Sequence, residues 1–214
     1  SCYTVEFERD FLEETASYYK QESQDYIVEY TCPDYVKKAE SRLQEEETRA
    51  VAYLAPGTLE RLLAVVEHEL ITTRAAALID MEGSGCAQMF YDINESTVGL
   101  SSGDSSNSGG TSSINREEDL RRIFSLLSRV SPTLELLRAS MYAYLKSAGA
   151  KILAESSANA ASRNPVRFVQ SLLSLKSKFD YIVEKCFQCD KKAIKKLKEA
   201  FEYIVNQNPQ CSAF

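Results

Sequence analysis

Apolar residues recur along this chain at the spacing of an α-helix, from the first segment to the last. In the first segment one stripe steps by three, four or eight positions through Phe7, Phe11, Thr15, Tyr18, Tyr26 and Tyr30. The clearest stripe lies near the other end of the chain and comprises Phe168, Leu172, Leu175, Phe179, Ile182 and Cys186. No comparable run alternates with the period of two that a half-buried strand requires. The pattern predicts an all-α fold.

Proline, glycine and capping residues divide the periodic segments into separate helices. Pro33 fits the first turn of a second helix after Thr31, and Ala55-Pro56-Gly57 ends that helix before Thr58 caps the next one. A short helix is predicted from about Arg74 to Glu82, ended by Gly83 to Gly85. Later helix starts are predicted at Asn115, Ser131, Asn164 and Asp190, and the predicted buried faces include Val51 of the second helix and Val205 of the last.

The stretch from about 96 to 115 has a different composition. Its core, SSGDSSNSGGTSS, has no periodicity and almost nothing to bury, so it cannot offset the entropy lost on ordering. We expect a disordered insertion, placed as a surface loop because good helical patterns flank it on both sides.

Charge is distributed unevenly along the chain. The net charge is -6, which gives no general case for binding nucleic acid. Acidic residues crowd the first third, from Glu6 to Glu69, whereas lysines gather between Lys185 and Lys198. The lysine cluster is explained either as a solvated helix face or as an electrostatic docking surface, and the sequence leaves both interpretations open.

Hydrophobicity and cysteine content indicate a chain of the cytoplasm or nucleus. Hydrophobic residues make up 44% of it, enough for a packed core, and no apolar run approaches the ~20 residues that span a bilayer. The six cysteines come without a secretion signal, so we expect reduced thiols: Cys2, Cys32, Cys86, Cys186, Cys189 and Cys211. Because the chain starts at Ser1 without Met, we expect a piece of a larger protein.

Residues suited to catalysis or metal binding are few. His68 is the only histidine, so Cys–His catalysis needs the fold to bring a cysteine to it. Cys186 and Cys189 form a CxxC pair, but a structural zinc site needs four ligands and no second pair exists. Cys186 also continues an apolar stripe, which favours core packing over redox chemistry. We therefore predict no catalytic residue, metal, cofactor or small-molecule substrate.

Three adjacent acids, Glu45, Glu46 and Glu47, raise the question of carboxylate chemistry. Successive helical residues point about a third of a turn apart, so these side chains cannot converge on one atom. Arg42 and Arg49 lie at helical spacing from them, which favours a salt-bridged face.

Several segments resemble the cullin family, the backbone subunits of a class of ubiquitin ligases. The most specific match is YVKKAESRLQEEETR from Tyr35 to Arg49, which is similar to the family's YxKKAExRLxEExxR helix. Three further segments match the family in its order along the chain. They are Phe11-Leu12 with Tyr18 to Ser23, then Glu118 to Leu120 with Leu126 to Val130, and then Phe201 to Ile204. Met81 to Gly85 and Asn164 to Asp180 look most like the cullin-three class, which uses BTB adaptors.

The sequence also departs from the family's pattern at three places. Thr73-Arg74 replaces a basic-His pair, the FNND-like turn reads Phe187-Gln188-Cys189-Asp190, and the insertion is longer than the usual loop. None of these changes touches a predicted core stripe.

The resemblance implies a non-catalytic scaffold built of five-helix repeats stacked into an elongated, right-handed superhelical stalk. Residues 1–56 would be the final helices of the second repeat and 57–214 the complete third repeat. As part of a full cullin, the chain would work with BTB-type substrate adaptors, a RING-box protein, NEDD8 and an E2. The adaptor-binding repeat and the RING-binding region lie outside this chain, so no partner-binding residue is carried over.

A second hypothesis from another class is a helical rod of a vesicle-tethering, exocyst-like complex. Such rods share a helical-bundle architecture, although no sequence pattern here favours them. Neither hypothesis involves nucleic acid or a membrane-spanning segment.

Overall fold

The computed structural model describes residues 7–54, 56–97, 110–158 and 165–207. They contain helices and turns and no strand, which confirms the predicted all-α class. In chain order the helices are α1 (Glu8–Glu29), α2 (Cys32–Tyr53), α3 (Pro56–Glu67), a π-helical turn (His68–Thr72), α4 (Ala75–Ile79), α5 (Cys86–Thr97), α6 (Gly110–Ser128), α7 (Ser131–Ala158), α8 (Pro165–Lys185) and α9 (Lys191–Asn206).

The chain divides into two compact units. Unit 1 comprises Ser1–Cys86 and Arg122–Leu136, and unit 2 comprises Ala87–Arg121 and Leu137–Phe214. In unit 1, α3 packs against both α1 and α2, and in unit 2, α8 packs against α9. The predicted division at residue 56 is a boundary between two repeats, not between compact units, and it stays a prediction. The superhelical stacking of repeats also stays a prediction.

Several helix ends differ from those predicted. Helix α3 begins at Pro56, so Thr58 lies inside the helix rather than at its cap. Pro56 fits there because its fixed φ suits a first helical position. Helix α6 begins at Gly110, five residues before the predicted start at Asn115. The apolar patch around Phe90 belongs to a complete helix, α5, that periodicity over so short a segment did not reveal.

Both ends of the predicted insertion at about 96–115 are helical, which corrects its bounds. Helix α5 continues to Thr97 and α6 starts at Gly110. Residues 98–109, on which the prediction of disorder still rests, lie outside the described residues.

The turn between α4 and α5 depends on two glycines, as predicted. Gly83 has φ of 73°, a conformation that L side chains rarely adopt. At Gly85 an added Cβ would lie 2.6 Å from the carbonyl oxygens of Ile79 and Met81, so only glycine fits.

The buried face of α1 is not the predicted aromatic stripe. Phe7 and Tyr18 are 53% and 56% exposed, whereas Glu8, Tyr19 and Ser23 are buried. The polar residues are buried because partners from unit 1 reach them. The Arg61 guanidinium lies 3.0 Å from the Glu8 carboxylate, and Arg74 Nε donates to Ser23 Oγ at 3.1 Å.

The other predicted stripes are mostly correct, with errors near helix ends. Phe179 and Ile182 of α8 and Cys186 just after that helix are fully buried, as are Leu137, Met141 and Leu145 of α7. Val51 of α2 and Val205 of α9 were predicted to face inward, but they are 69% and 36% exposed. Each lies within the last turn of its helix.

An aromatic cluster organises the core of unit 2. The Phe90 ring centroid lies 5.5 Å from those of Tyr144 and Phe179 and 6.5 Å from that of Phe187. Rings at these separations gain about 0.5–1.5 kcal/mol per pair beyond their buried area. Burial raises the pKa of Tyr144. The cluster joins α5, α7 and α8 and the turn that follows α8.

None of the helices in the described part of the chain combines the length and hydrophobicity that crossing a bilayer requires.

Candidate functional site

A network of hydrogen bonds joins α1 to α2 in unit 1. The Glu22 Oε1 atom accepts from Arg42 Nη2 at 2.6 Å, from the Tyr26 hydroxyl at 2.9 Å and from the Tyr18 hydroxyl at 3.2 Å. Arg42 also donates to Glu45 at 2.8 Å. The Arg42 fork thus holds two carboxylates, so Glu45 pairs as the sequence predicted.

Glu46 pairs with Arg49, as the predicted salt-bridged face implies, but unlike Glu45 it is buried. Its Oε1 atom accepts from the Tyr19 hydroxyl at 2.7 Å and from Arg49 at 2.8 Å. Burial and this hydrogen bond raise the pKa of Tyr19, so its hydroxyl stays protonated as a donor. Glu46 continues the buried stripe of Ala39 and Leu43 at helical spacing, a sequence signal that could have identified it.

A shallow groove of about 420 Å³ lies beside this network. Its lining residues come from the first three helices and are mainly apolar or aromatic: Phe11, Glu14, Thr15, Tyr18, Tyr19, Arg42, Glu46, Arg49, Ala50, Tyr53, Leu54 and Leu62. Glu46 and both arginines are engaged in the ion pairs above. No cysteine, histidine or serine is among the described residues that line the groove.

His68 lies exposed in the π-helical turn. Its carbonyl oxygen accepts from the Thr73 amide at 3.0 Å. The same turn is fixed from α2, because the buried Tyr35 hydroxyl donates to the Leu70 carbonyl at 2.8 Å. This extra hydrogen bond satisfies a backbone oxygen that the altered helix geometry frees.

The two cysteines of the CxxC pair have different environments. Cys186 is fully buried, and its Sγ atom lies 3.7 Å from the Glu117 carbonyl oxygen. Burial raises the pKa of the Cys186 thiol to about 11, which makes it a poor nucleophile. Cys189 is exposed. No group of three or more potential metal ligands occurs in the part of the chain that the structure describes.

The same turn carries unusual backbone geometry. Gln188 and Cys189 have φ of 50° and 57°, in the left-handed region that non-glycine residues rarely occupy. Immediately after them, Asp190 caps α9 by accepting from the Ala193 amide at 2.8 Å, as predicted.

Asp190 also forms a partly buried ion pair that sequence analysis missed. Arg138 of α7 donates from Nε to Oδ2 at 2.7 Å and from Nη2 to Oδ1 at 2.9 Å. Partial burial of the Asp190 carboxylate acts to raise its pKa. The hydrogen bonds from Arg138 and Ala193 outweigh that effect and hold the pKa below the ordinary value of 3.8. A bidentate pair of this kind ties α7 to the start of α9.

A second buried cation has no such partner. The Lys178 ammonium is buried and makes no hydrogen bond with the described residues. It lies 5.8 and 5.7 Å from the ring centroids of Tyr144 and Phe179. Burial lowers its pKa to about 8, although the charge of Asp92 acts in the opposite direction. Lys178 lies three positions after Leu175, which belongs to the α8 stripe, and this helical spacing indicates that Lys178 is buried.

Each unit is thus held together internally by packed helices and by buried polar contacts such as Tyr19–Glu46 in unit 1 and Arg138–Asp190 in unit 2. The Cullin alpha solenoid domain family matches residues 1–213. The chain is similar to Cullin-3A of Arabidopsis thaliana, with 33% identity over 214 residues, and to Cullin-3 of Dictyostelium discoideum, with 34% over 214. It is 28% identical over 210 residues to Cullin-4A of Homo sapiens.

These alignments cover almost the whole chain but only part of each relative. They include 100%, 100% and 97% of the chain and 26%, 25% and 23% of the relatives, in the same order. The chain therefore spans about a quarter of the length of these relatives. The two cullin-3 proteins are more similar to it than Cullin-4A is.

Proposed function

The chain belongs to the cullin family, and from this premise we propose that it is a rigid, non-catalytic scaffold segment of a cullin-RING ubiquitin ligase. The resemblance predicted from the helix motifs is confirmed, including its leaning towards the cullin-3 class. The observation that carries the proposal is the family match through residues 1–213. No observation favours the vesicle-tethering alternative.

The proposed role is mechanical. The segment holds the substrate-adaptor end and the RING/E2 end of the full protein at a fixed separation. Ubiquitin transfer then gains from proximity although this segment touches neither reactant. The buried aromatic cluster of unit 2 and the ion pair between Arg138 and Asp190 support this role, because close-packed interiors resist deformation.

The partners of the full protein would be BTB-type adaptors, a RING-box protein, NEDD8 and an E2. Affinity purification of the full-length parent, with this chain as a parallel bait, tests that assignment by mass spectrometry. We expect all of these classes with the parent and none of them with the chain alone. Recovery of tethering-complex subunits without a RING-box protein would contradict the proposal. We further propose a cytoplasmic and nuclear location, which imaging of the tagged parent would check.

The mechanical part of the proposal needs a separate test. Phe179→Ala in the full-length parent removes a ring from the core of unit 2, and Leu173→Ala on the same helix is the matched control because Leu173 is 57% exposed. We expect the Phe179 variant to retain its adaptor and RING-box subunit in pull-downs while transferring ubiquitin to substrate more slowly. Unchanged transfer by a variant with a measurably weakened core would refute the rigid-spacer role.

A further inference from the structure

The first two turns of α9 concentrate positive charge in an otherwise acidic chain. Residues 191–198 contain five lysines and no acid, whereas the whole chain carries a net charge of -6. Lys191 and Lys198 form no ion pair with described residues. Lys195 and Lys196 share one acid, Glu199, at 3.9 and 3.3 Å. The cluster is therefore only partly neutralised within its own unit.

Helix electrostatics give no structural reason for this arrangement. The N-terminal end of a helix carries the positive end of its dipole, so acids stabilise the first turn and lysines destabilise it. Here Lys191 and Lys192 occupy that turn. A sequence selected only to stabilise α9 would place these lysines at its other end.

An adjacent contact between α7 and α9 extends the positive surface. Lys146 lies 4.0 Å from the ring centroid of Tyr203 and 5.5 Å from that of Tyr142. Lys196 approaches the same Tyr142 ring, at 5.6 Å from its centroid. Two ammonium groups directed at one ring repel each other, and an anion between them would relieve that repulsion.

We propose that the lysines of residues 191–198, together with Lys146, Tyr142 and Tyr203, form a docking surface for an acidic, Asp/Glu-rich segment of another protein. These residues constitute the lysine platform. It is independent of the scaffold role, because spacing requires no charged surface.

The dimensions and surroundings of the lysine platform favour a polypeptide over nucleic acid. Eight helical residues extend about 12 Å, which matches a few residues of an extended peptide or two turns of a helix. Glu199 and Glu202 border the lysines on α9 and would repel a continuous phosphate backbone. Individual carboxylates can instead be placed over the lysines, with tyrosine rings beside them.

Fluorescence anisotropy with a labelled twelve-residue Asp/Glu peptide tests the proposal. The control ligand is the corresponding Asn/Gln peptide, measured at low and near-physiological salt. We expect the acidic peptide to bind and the neutral one to fail, with affinity falling as salt rises because the contacts are exposed. Absence of binding at low salt, or equal binding of both peptides, would overturn the proposal.

Matched variants locate the binding. Lys195→Gln with Lys198→Gln removes two charges from the lysine platform, and Lys37→Gln with Lys38→Gln removes two exposed charges from unit 1. We expect roughly tenfold weaker binding from the first pair and little change from the second. Equal losses would indicate general attraction to a charged chain and would reject the lysine platform.

A further variant and two competing ligands complete the test. Lys146→Gln should also weaken binding of the acidic peptide, with helical circular dichroism unchanged. A twelve-nucleotide RNA and phosphatidylserine vesicles are measured beside the peptide. Tighter binding of either one than of the peptide would contradict the choice of an acidic protein segment.

Discussion

Two regions of unit 2 bury a cation, and they treat it differently. Arg138 and Lys178 are 5% and 6% exposed, so both have lost nearly all contact with water. Arg138 receives the Asp190 carboxylate with two hydrogen bonds, whereas the Lys178 ammonium, among the described residues, makes no hydrogen bond and lies over two aromatic rings. The contrast teaches that similar burial can accompany opposite contributions to stability, depending on whether a partner is present.

Side-chain chemistry explains which cation received a partner. The arginine guanidinium is planar and matches a carboxylate in two places, and it stays charged when buried. Burial disfavours the charged form of the compact lysine ammonium, and this lowers the pKa of Lys178 to about 8. The Arg138 region ties α7 to α9, while the Lys178 region carries a cost within the aromatic core.

Removing the Asp190 carboxylate should have the largest effect on stability. We expect Asp190→Ala to lower the free energy of unfolding by about 3–5 kcal/mol, because Arg138 loses its carboxylate partner and α9 loses its cap. Urea denaturation followed by circular dichroism measures this. Asp180→Ala is the control, since Asp180 pairs with Lys176 on the surface and should contribute less than about 1 kcal/mol. If both substitutions lowered the free energy of unfolding equally, the Arg138–Asp190 ion pair would contribute no more than a surface pair.

Replacing the unpartnered cation should change stability in the opposite direction. We expect Lys178→Met to raise the free energy of unfolding near pH 7 by up to about 3 kcal/mol, the equivalent of lowering a lysine pKa from 10.5 to about 8. Methionine preserves the length of the chain and packs well against rings. The matched control is Lys176→Met, at an exposed lysine. If Lys178→Met were no more stable than this control, burial of the Lys178 ammonium would carry no measurable cost.

The same lysine predicts a pH dependence with a definite sign. Its folded-state pKa is lowered, so the penalty is complete below about pH 8 and is relieved as the pH rises from there towards 10.5. The advantage of Lys178→Met over the unmodified chain should therefore shrink between pH 7 and pH 9.5. An advantage that stayed constant across that range would assign the effect to packing instead of charge.

Lowering the pH should also reduce the stability that the Arg138–Asp190 ion pair contributes, and this effect should be smaller. The pKa of Asp190 is held below 3.8, so its contribution is fully present above that value and is lost as the pH falls through the folded-state pKa. The stability difference between the unmodified chain and Asp190→Ala should narrow below about pH 4. A difference that persisted into strong acid would place the stabilisation outside the carboxylate.

A substitution in the turn that precedes Asp190 should have the smallest effect on stability. Cys189 has φ of 57°, a conformation in which asparagine is far more common. We expect Cys189→Asn to raise the melting temperature modestly, by the equivalent of about 0.5–1 kcal/mol. Because the thiol is exposed, little packing is lost. A destabilising result would mean that the Cys189 side chain makes a contact that outweighs the backbone strain.

Periodicity predicted those elements whose buried face is uniformly apolar. The α8 stripe through Phe179 and Ile182 was recovered, and the Asp190 cap was identified from a local rule that needs no distant partner. The buried face of α1 was missed because Glu8 and Ser23 are buried only in the presence of Arg61 and Arg74. Those arginines are more than fifty positions away, beyond the reach of any helical repeat.

The polar ties were missed for the same reason. Glu46 and Lys178 both lie at buried positions of their helical repeats, so burial could have been inferred, but whether each one finds a partner could not. Arg138 gave no local indication that Asp190 would meet it, since fifty-two positions separate them. The π-helical turn at His68–Thr72 likewise depends on Tyr35 reaching the Leu70 carbonyl.

The amino-acid sequence by itself determined the all-α class, most helix faces and the family, because each is encoded in short-range spacing and in motifs preserved in order. The tertiary structure alone decided which charges are paired in the core and which face α1 buries. Hydrophobic spacing indicates where a side chain points, whereas the free energy of a buried polar group depends on a partner that folding brings from far along the chain.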